Sequence, residues 1–307
     1  MEIFINLLAL TASLGVLVFL GEKLILSAQR LARAFGVSSA VIGLTVLAYG
    51  TSLPEFVVSS MAAVRQSSDL SVSNIVGSNI YNIAFILGVA SIISPLSIKE
   101  TIFAKRDGLV MLFAVIIICL FAYLGKMGRL TGIAMVAIIA GYTYTIIRHD
   151  RVHRKTGPDK NLSKIKEAVV VVLLLAGVLI SGYFTVDYAV KLARSAGVTE
   201  WLIGATIVAA GTSLPETIVS ILAARKGEYA MSIGNIVGSN IFNILWILGF
   251  ASILNPLTIN FQKIYPDLIF LAIITLLLYA ALRKGRLTKG EGLLYIALYI
   301  GYISYLL

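Results

Sequence analysis

Charged residues are scarce in this chain of 307 residues, at 13% of the total, whereas 59% of the residues are hydrophobic and the mean hydropathy is +0.95. A soluble domain of this length cannot hide so much apolar surface from water, so the composition excludes that class and predicts a polytopic membrane protein. The single cysteine, Cys119, excludes an internal disulfide, and its apolar surroundings predict a packing role.

The N-terminus lacks the features of a cleaved signal peptide. Its first charge is acidic (Glu2), and the apolar stretch from Ile3 continues past Phe19 without a basic segment before it. A signal peptide begins with positive charge and has a short apolar core, so we expect this segment to be retained as the first span.

Ten apolar runs follow one another, each with room for the roughly 20 residues that a membrane-spanning helix needs. They lie at about 3–33, 38–64, 70–93, 105–124, 130–147, 166–194, 199–225, 230–254, 265–282 and 289–307. The sequence therefore predicts an all-α polytopic membrane protein of ten transmembrane helices. We expect a first five-span repeat at 1–147, a connector at 148–165 and a second five-span repeat at 166–307.

The two halves of the chain repeat one another. Shifted by 161 residues, Val41–Ile98 aligns without a gap on Leu202–Ile259, and 33 of the 58 positions are identical. Because each unit contains an odd number of spans, the two copies must enter the membrane from opposite sides. The fold expected is an inverted repeat about an axis in the membrane plane.

The distribution of lysine and arginine predicts the orientation of the chain. Eighteen of these residues lie in the connector and the loops after odd-numbered spans, against six on the opposite face. Because positive residues are enriched on the cytoplasmic side, we expect a plasma (inner) membrane protein with a cytoplasmic connector and both termini outside. The net charge of +10 then reflects topology, and no nucleic-acid partner is expected.

One motif, Gly-Thr-Ser-Leu-Pro-Glu, occurs in both repeats, at 50–55 and 211–216, inside apolar runs. Glycine and proline interrupt a helix and free backbone carbonyls, which predicts discontinuous helices at the centre of the molecule. A charged residue at membrane depth costs about 2.5–3.5 kcal/mol or more, so Glu55 and Glu216 are functional-site candidates. The repeat symmetry predicts that both approach the axis near the bilayer midplane.

Oxygen-bearing groups surround these two acids in both repeats. The candidates are the hydroxyls of Thr51, Ser52, Ser78, Thr212, Ser213 and Ser239, the amides of Asn82 and Asn243, and freed carbonyls near Ala48 and Ala209. Neither aligned segment contains histidine or cysteine. Oxygen ligands favour hard cations such as Ca²⁺ or Na⁺ over zinc or copper. The two asparagines could instead form hydrogen bonds between helices.

The two glutamates give the core a formal charge of −2, which one Ca²⁺, two Na⁺ or two protons would neutralise. An unloaded site would leave two unpaired carboxylates in a low-dielectric passage, so a protein that reorients only when loaded would be an obligate exchanger. The rival hypotheses are a Ca²⁺/H⁺ exchanger, a passive cation channel and an intramembrane hydrolase. The hydrolase lacks an activated nucleophile, so neither enzyme activity nor a cofactor is expected.

At these residues the chain resembles the Ca²⁺/cation antiporter superfamily, in particular the prokaryotic type of its sodium/calcium exchanger branch. The resemblance rests on the doubled motif at 50–55 and 211–216 together with Gly-Ser-Asn at 77–79 and 238–240. It implies a ten-span antiporter that exchanges Na⁺ for Ca²⁺, and we expect it to function as a monomer. Spans one and six would slide across the other eight to alternate access.

The resemblance also implies roles for the candidate residues. Glu55 and Glu216 would bind Ca²⁺ together with backbone oxygens of Thr51 and Thr212. The Na⁺ sites would use those glutamates with Ser52, Ser78, Ser213, Ser239, Ala48 and Ala209. Asn243 stands where an aspartate is associated with the potassium-dependent branch, which argues against K⁺ cotransport. The proton-coupled branch typically replaces the doubled motif, and this chain retains it.

Overall fold

The computed structural model describes residues 2–97, 106–153, 157–198 and 209–306. Within these ranges the predicted apolar runs are helices; residues 199–208 of the seventh run lie outside them. Six described helices are long and apolar enough to cross a membrane, and a bent pair supplies a seventh span if it is counted as one. The chain is therefore a helical, multi-pass membrane protein.

The described part of the first half contains eight α-helices, two of which continue into π-helical segments. They are α1 (Glu2–Phe35), α2 (Ser39–Ile42), α3 (Ala48–Thr51), α4 (Leu53–Val64), α5 (Ser68–Ile80), α6 (Leu87–Ile93), α7 (Gly108–Tyr123) and α8 (Arg129–His153). The π-helical segment Gly43–Leu47 joins α2 to α3, and Tyr81–Ile86 joins α5 to α6. Helix α8 continues beyond the predicted end of the first repeat at residue 147.

The described part of the second half follows the same order. Its helices are α9 (Lys164–Ser195), α10 (Ala209–Gly211), α11 (Leu214–Arg225), α12 (Tyr229–Phe242), α13 (Gly249–Leu254), α14 (Phe261–Lys284) and α15 (Lys289–Leu306). A π-helical segment, Asn243–Leu248, joins α12 to α13. Such segments replace regular α-helical hydrogen bonding and are frequent at functional sites. Tyr81–Ile86 and Asn243–Leu248 occupy corresponding places in the two repeats.

Burial separates the central helices from the outer ones. In the most apolar stretches of Ser68–Ile93 and Tyr229–Leu254, 72% and 83% of the residues are buried, against 6% in Ile3–Phe35. Helix α1 packs along α9 outside this centre. Large apolar side chains such as Phe4 (71% exposed) and Leu130 (83% exposed) cover the outer surface. Such a surface is suited to lipid rather than to water.

Two short antiparallel strand pairs connect the halves. Strand β1 (Leu96–Ser97) pairs with β4 (Arg286–Leu287), and β2 (Lys126–Met127) pairs with β3 (Leu257–Thr258). Strands β1 and β3 are equivalent positions in the aligned repeats. Each half therefore supplies one strand to each pair.

Close contacts at glycines also join a helix of one half to a helix of the other. A Cβ atom on Gly292 of α15 would lie 2.8 Å from the carbonyl oxygen of Gly88, and one on Gly132 of α8 would clash with the carbonyl oxygen of Gly249. Gly88 and Gly249 are equivalent positions in the repeats. Helix α15 thus packs closely on α6, and α8 on α13, with no room for a side chain between the backbones.

Replacing Gly132 by alanine should therefore lower the melting temperature of the purified protein. The added methyl group must displace a backbone, and overpacking of this kind costs about 1–3 kcal/mol. Gly141 of the same helix is the matched control, because a Cβ atom there would meet nothing within 4 Å. If the Gly132→Ala protein had the same melting temperature as the Gly141→Ala control, this close packing would be contradicted.

Candidate cation site

The doubled motif breaks a helix in each half. Ser52 lies between α3 and α4 with φ −81° and ψ 10°, and the two helical pieces around it are bent by 48°. Glu55 lies in the first turn of α4, after a proline. In the second copy Ser213 has φ −91° and ψ 13°, and Glu216 lies in the first turn of α11. Both carboxylates therefore sit at the positive end of a helix dipole, which favours negative charge.

Each glutamate is held by a hydroxyl from the other copy of the motif. Ser213 Oγ donates to Glu55 Oε1 at 2.7 Å, and Ser52 Oγ donates to Glu216 Oε1 at 2.9 Å. The two glutamates are 0% and 1% exposed. Their crosswise hydrogen bonds show that the two motifs, far apart in the chain, meet in one buried polar cluster.

The conformation around this cluster differs between the repeats. Ser78 Oγ lies 3.1 Å from Glu55 Oε1 and 2.9 Å from Ser213 Oγ, and it accepts from Asn243 Nδ2 at 3.4 Å. Ser239, the equivalent of Ser78, instead donates to the carbonyl oxygen of Ala48 at 3.4 Å. Equivalent residues thus have different partners in the two halves.

Several buried oxygens of the cluster have no hydrogen-bond partner among the described residues. They are Glu55 Oε2, Glu216 Oε2, Asn82 Oδ1, Asn240 Oδ1 and Asn243 Oδ1. A buried polar group without a partner costs about 1–3 kcal/mol, and more if it is charged. Carboxylate, amide and carbonyl oxygens are the ligands of hard cations, so these atoms are suited to coordinate one.

No group of three or more His, Cys, Asp or Glu side chains forms a metal-binding cluster within the described ranges. A cation between the two glutamates would therefore complete its coordination with hydroxyl, amide or backbone oxygens. The two threonines predicted as ligands differ in burial. Thr51 is buried and donates to the carbonyl oxygen of Leu47 at 2.9 Å, whereas Thr212 is half-buried. Ala209 begins α10, but its side chain lies outside what the structure describes.

The two predicted asparagines differ in their contacts. Asn82 is fully buried, and neither of its side-chain polar atoms has a partner among the described residues. Asn243 Nδ2 donates to Asn79 Oδ1 at 3.0 Å, and Asn79 Nδ2 donates to the carbonyl oxygen of Asn240 at 3.2 Å. The amide of Asn243 therefore does form hydrogen bonds between helices, while its oxygen stays unpaired.

A second layer of polar residues, not predicted from the sequence, lies behind the site. Asn74 Nδ2 donates to Ser59 Oγ and Asn235 Nδ2 donates to Ser220 Oγ, both at 2.9 Å. Asn235 Oδ1 also lies 3.5 Å from Thr51 Oγ1. These pairs are identical at the 161-residue shift, so the repeat alignment contained the signal that could have identified them.

A helical multi-pass fold with two buried carboxylates among unpaired oxygens is that of a membrane transport protein for cations. The sodium/calcium exchanger protein family matches residues 5–148 and 166–307. The chain belongs to this family, as the sequence resemblance predicted. Its members are transporters rather than enzymes, and they transport Na⁺ and Ca²⁺ without a cofactor. The hydrolase hypothesis is therefore wrong.

Relatives match the chain over nearly its whole length. The sodium/calcium exchanger MaX1 of Methanosarcina acetivorans is 30% identical, with 98% of each chain covered. The inner membrane protein YrbG of Escherichia coli is 31% identical, covering 93% of this chain and 91% of the relative. A solved structure of the sodium-calcium exchanger NCX_Mj superposes with a TM-score of 0.86 at 32% identity and covers 97% of both chains.

Proposed function

We propose that this protein exchanges Na⁺ for Ca²⁺ at a site near the bilayer midplane built on Glu55 and Glu216. The observation that carries the proposal is the pair of crosswise hydrogen bonds, which gathers both buried carboxylates into one cluster. One Ca²⁺ or two Na⁺ would neutralise them, so the two ions compete for the same negative charge. The proposed ligands are the two glutamates with Thr51, Ser52, Ser78, Asn82, Thr212, Ser213, Ser239, Asn243 and the carbonyls of Ala48 and Ala209.

In the proposed mechanism the site opens alternately to the two sides of the membrane. Burial of two bare carboxylates is costly, so the protein would reorient only with cations bound, and flux in one direction would require flux in the other. The different partners of Ser78 and Ser239 support this mechanism. In an inverted repeat, exchanging the conformations of the two halves would open the site to the opposite side.

The proposed topology has ten spans in two inverted five-span repeats, with a cytoplasmic connector and both termini outside the plasma membrane. The strand pairs support it. Pair β1–β4 joins the loops after spans three and nine, both expected in the cytoplasm, and β2–β3 joins the loops after spans four and eight, both expected outside. Lys263 and Asp69, both expected outside, form an ion pair at 3.2 Å. Because one chain supplies both glutamates, a monomer would suffice.

Vesicles reconstituted with the protein and loaded with Na⁺ should take up ⁴⁵Ca²⁺ when they are diluted into Na⁺-free buffer. Uptake should fall to the level of protein-free vesicles when no Na⁺ gradient is imposed, because each inward Ca²⁺ requires outward Na⁺. A pH gradient alone should drive no uptake. Uptake driven by the pH gradient would instead indicate Ca²⁺/H⁺ exchange, and uptake without any counter-ion would indicate a channel.

A further inference from the structure

Five aromatic rings form a continuous column beside the first broken helix. Tyr49 stacks on Phe242 with ring centroids 4.3 Å apart, and Phe242 stacks on Trp246 at 5.9 Å. Trp246 in turn stacks on Phe250 at 6.4 Å, and Phe250 packs on Phe56 at 5.2 Å. Aromatic rings attract one another at such separations. These contacts therefore connect Tyr49 with Phe56 through the other three rings, and we call the five residues the aromatic column.

The two ends of the aromatic column lie on opposite sides of the helix break. Tyr49 belongs to α3, before Ser52, and Phe56 belongs to α4, after it. The three middle rings occupy every fourth position from Phe242 to Phe250, which runs from the end of α12 through the π-helical segment into α13. Residues four apart lie on one face of a helix, so one neighbouring span contacts both bent pieces.

The proposed cation ligands of the first motif lie between the ends of the column. Thr51, Ser52 and Glu55 all fall within residues 49–56. Their relative positions depend on the bend between α3 and α4, which is 48°. The hydroxyl of Tyr49 also shares a hydrogen bond with Thr143 Oγ1 of α8, which fixes the first ring of the column. Contacts that stabilise this bend therefore stabilise the arrangement of the ligands.

The sequence of the second half excludes an equivalent column. The positions equivalent to its two ends hold Ala210 and Thr217, neither of which has a ring. The position equivalent to Phe250 holds Val89. This difference lies in the covalent sequence, so it persists in every conformation of the protein. The two copies of the motif are identical, but only the first can be stabilised by a ring on each side of its break.

The rings that the second half does retain pack elsewhere. Tyr81 and Phe85, the equivalents of Phe242 and Trp246, stack on each other with centroids 4.8 Å apart. Both also pack on Tyr299 of α15, at 5.8 and 5.5 Å. Their ring contacts therefore attach α15 to the central helices and do not join the two pieces of a broken span.

We infer that the aromatic column positions the first motif for cation binding. Its contacts stabilise the bend at which Glu55 and the neighbouring oxygens can face one ion. Trp246 is the central positioning residue, because the loss of its ring disconnects the ring before the break from the ring after it. Trp246 acts through the backbone of the broken span and is not itself a ligand. This inference rests on the proposed exchange function.

Replacing Trp246 by leucine should raise the Ca²⁺ concentration for half-maximal Na⁺-driven uptake about tenfold. Leucine keeps an apolar side chain at this position but ends the stacking on both sides. A smaller fraction of the protein then has the bend that binds ions, and the apparent affinity falls with that fraction. The maximal rate at saturating Ca²⁺ should stay within about twofold of the parental rate, because bound cations restore the bend. Trp246→Phe retains a ring and should restore the parental half-saturating concentration.

Phe85→Leu is the matched control. It also removes two ring contacts, but neither of them lies on a broken span. It should lower the melting temperature, as Trp246→Leu does, and leave the half-saturating Ca²⁺ concentration unchanged. The inference would be overturned by a parental value in Trp246→Leu, by an equal rise in Phe85→Leu, or by a Trp246→Phe protein as impaired as Trp246→Leu.

A second variant covers the case in which Trp246→Leu does not fold. Phe56→Leu removes the last ring of the column, so it should raise the half-saturating Ca²⁺ concentration in the same direction, and a parental value would overturn the inference. The proposed exchange function is tested separately, by Na⁺-driven uptake of the parent. A failure of the column to affect binding would therefore leave that function standing.

Discussion

Replacing Glu55 by glutamine should lower the initial rate of Na⁺-driven Ca²⁺ uptake by about 100-fold or more, because losing one partner of a buried charge pair costs about 2–5 kcal/mol. Glutamine preserves the size of the side chain and can still accept the hydrogen bond from Ser213. It removes one negative charge, so a bound Ca²⁺ would keep an uncompensated positive charge in a low-dielectric site. Glu216→Gln should have the same effect, because the two residues are equivalent.

The matched control for this experiment is Glu22→Gln. The side chain of Glu22 is 46% exposed and lies 3.9 Å from Lys226 Nζ, so its charge is solvated and remote from the buried cluster. This variant should take up Ca²⁺ at the parental rate when the parent and the three variants are reconstituted at equal density. Parental rates in both Glu55→Gln and Glu216→Gln would remove the basis of the proposed mechanism.

Replacing Ser52 and Ser213 together by alanine should weaken the binding of Ca²⁺ at least tenfold. Each hydroxyl donates to a glutamate of the other repeat, and a hydrogen bond to a charged group contributes about 1.5–3 kcal/mol. Without these donors the carboxylates lose the contacts that orient them. The same substitutions also remove two proposed Na⁺ ligands, the hydroxyls of Ser52 and Ser213. The fluorescence of Trp246, whose ring stacks on Phe242 beside Asn243, offers a signal for the titration.

Ser91→Ala is the control for the serine variants. Ser91 lies on α6 and is also fully buried, but its hydroxyl donates to the carbonyl oxygen of Gly88 at 2.9 Å and contacts neither glutamate carboxylate. Its loss should lower the melting temperature and leave the ion affinity unchanged. An equal loss of affinity in Ser91→Ala would mean that the crosswise hydrogen bonds have no particular role in binding.

The sequence predicted those features that depend on local chemistry or on repetition. Apolar runs predicted the helices, because backbone groups in lipid must be paired within a segment. The motif around Pro54 predicted the break that the structure places at Ser52. The 161-residue shift predicted that Glu55 and Glu216 occupy equivalent positions, and the structure gathers their side chains and the neighbouring hydroxyls in one cluster.

Other features depend on how the two halves pack against each other, and no local pattern contains them. Nothing in the motif indicates that Ser213 donates to Glu55 rather than to Glu216. Comparing the repeats could not predict that Ser78 and Ser239 have different hydrogen-bond partners, because identical sequences predict identical surroundings.

The reciprocal strand pairs have a bearing on the origin of the molecule. Each half supplies one strand to each pair, so the two pairs and the two glycine contacts form between the halves and do not need the connector. Two copies of a half-length ancestor, inserted into the membrane in opposite orientations, would form both strand pairs and bring both glutamates together. Gene fusion would then have joined an assembly that already worked as a dimer of opposed subunits.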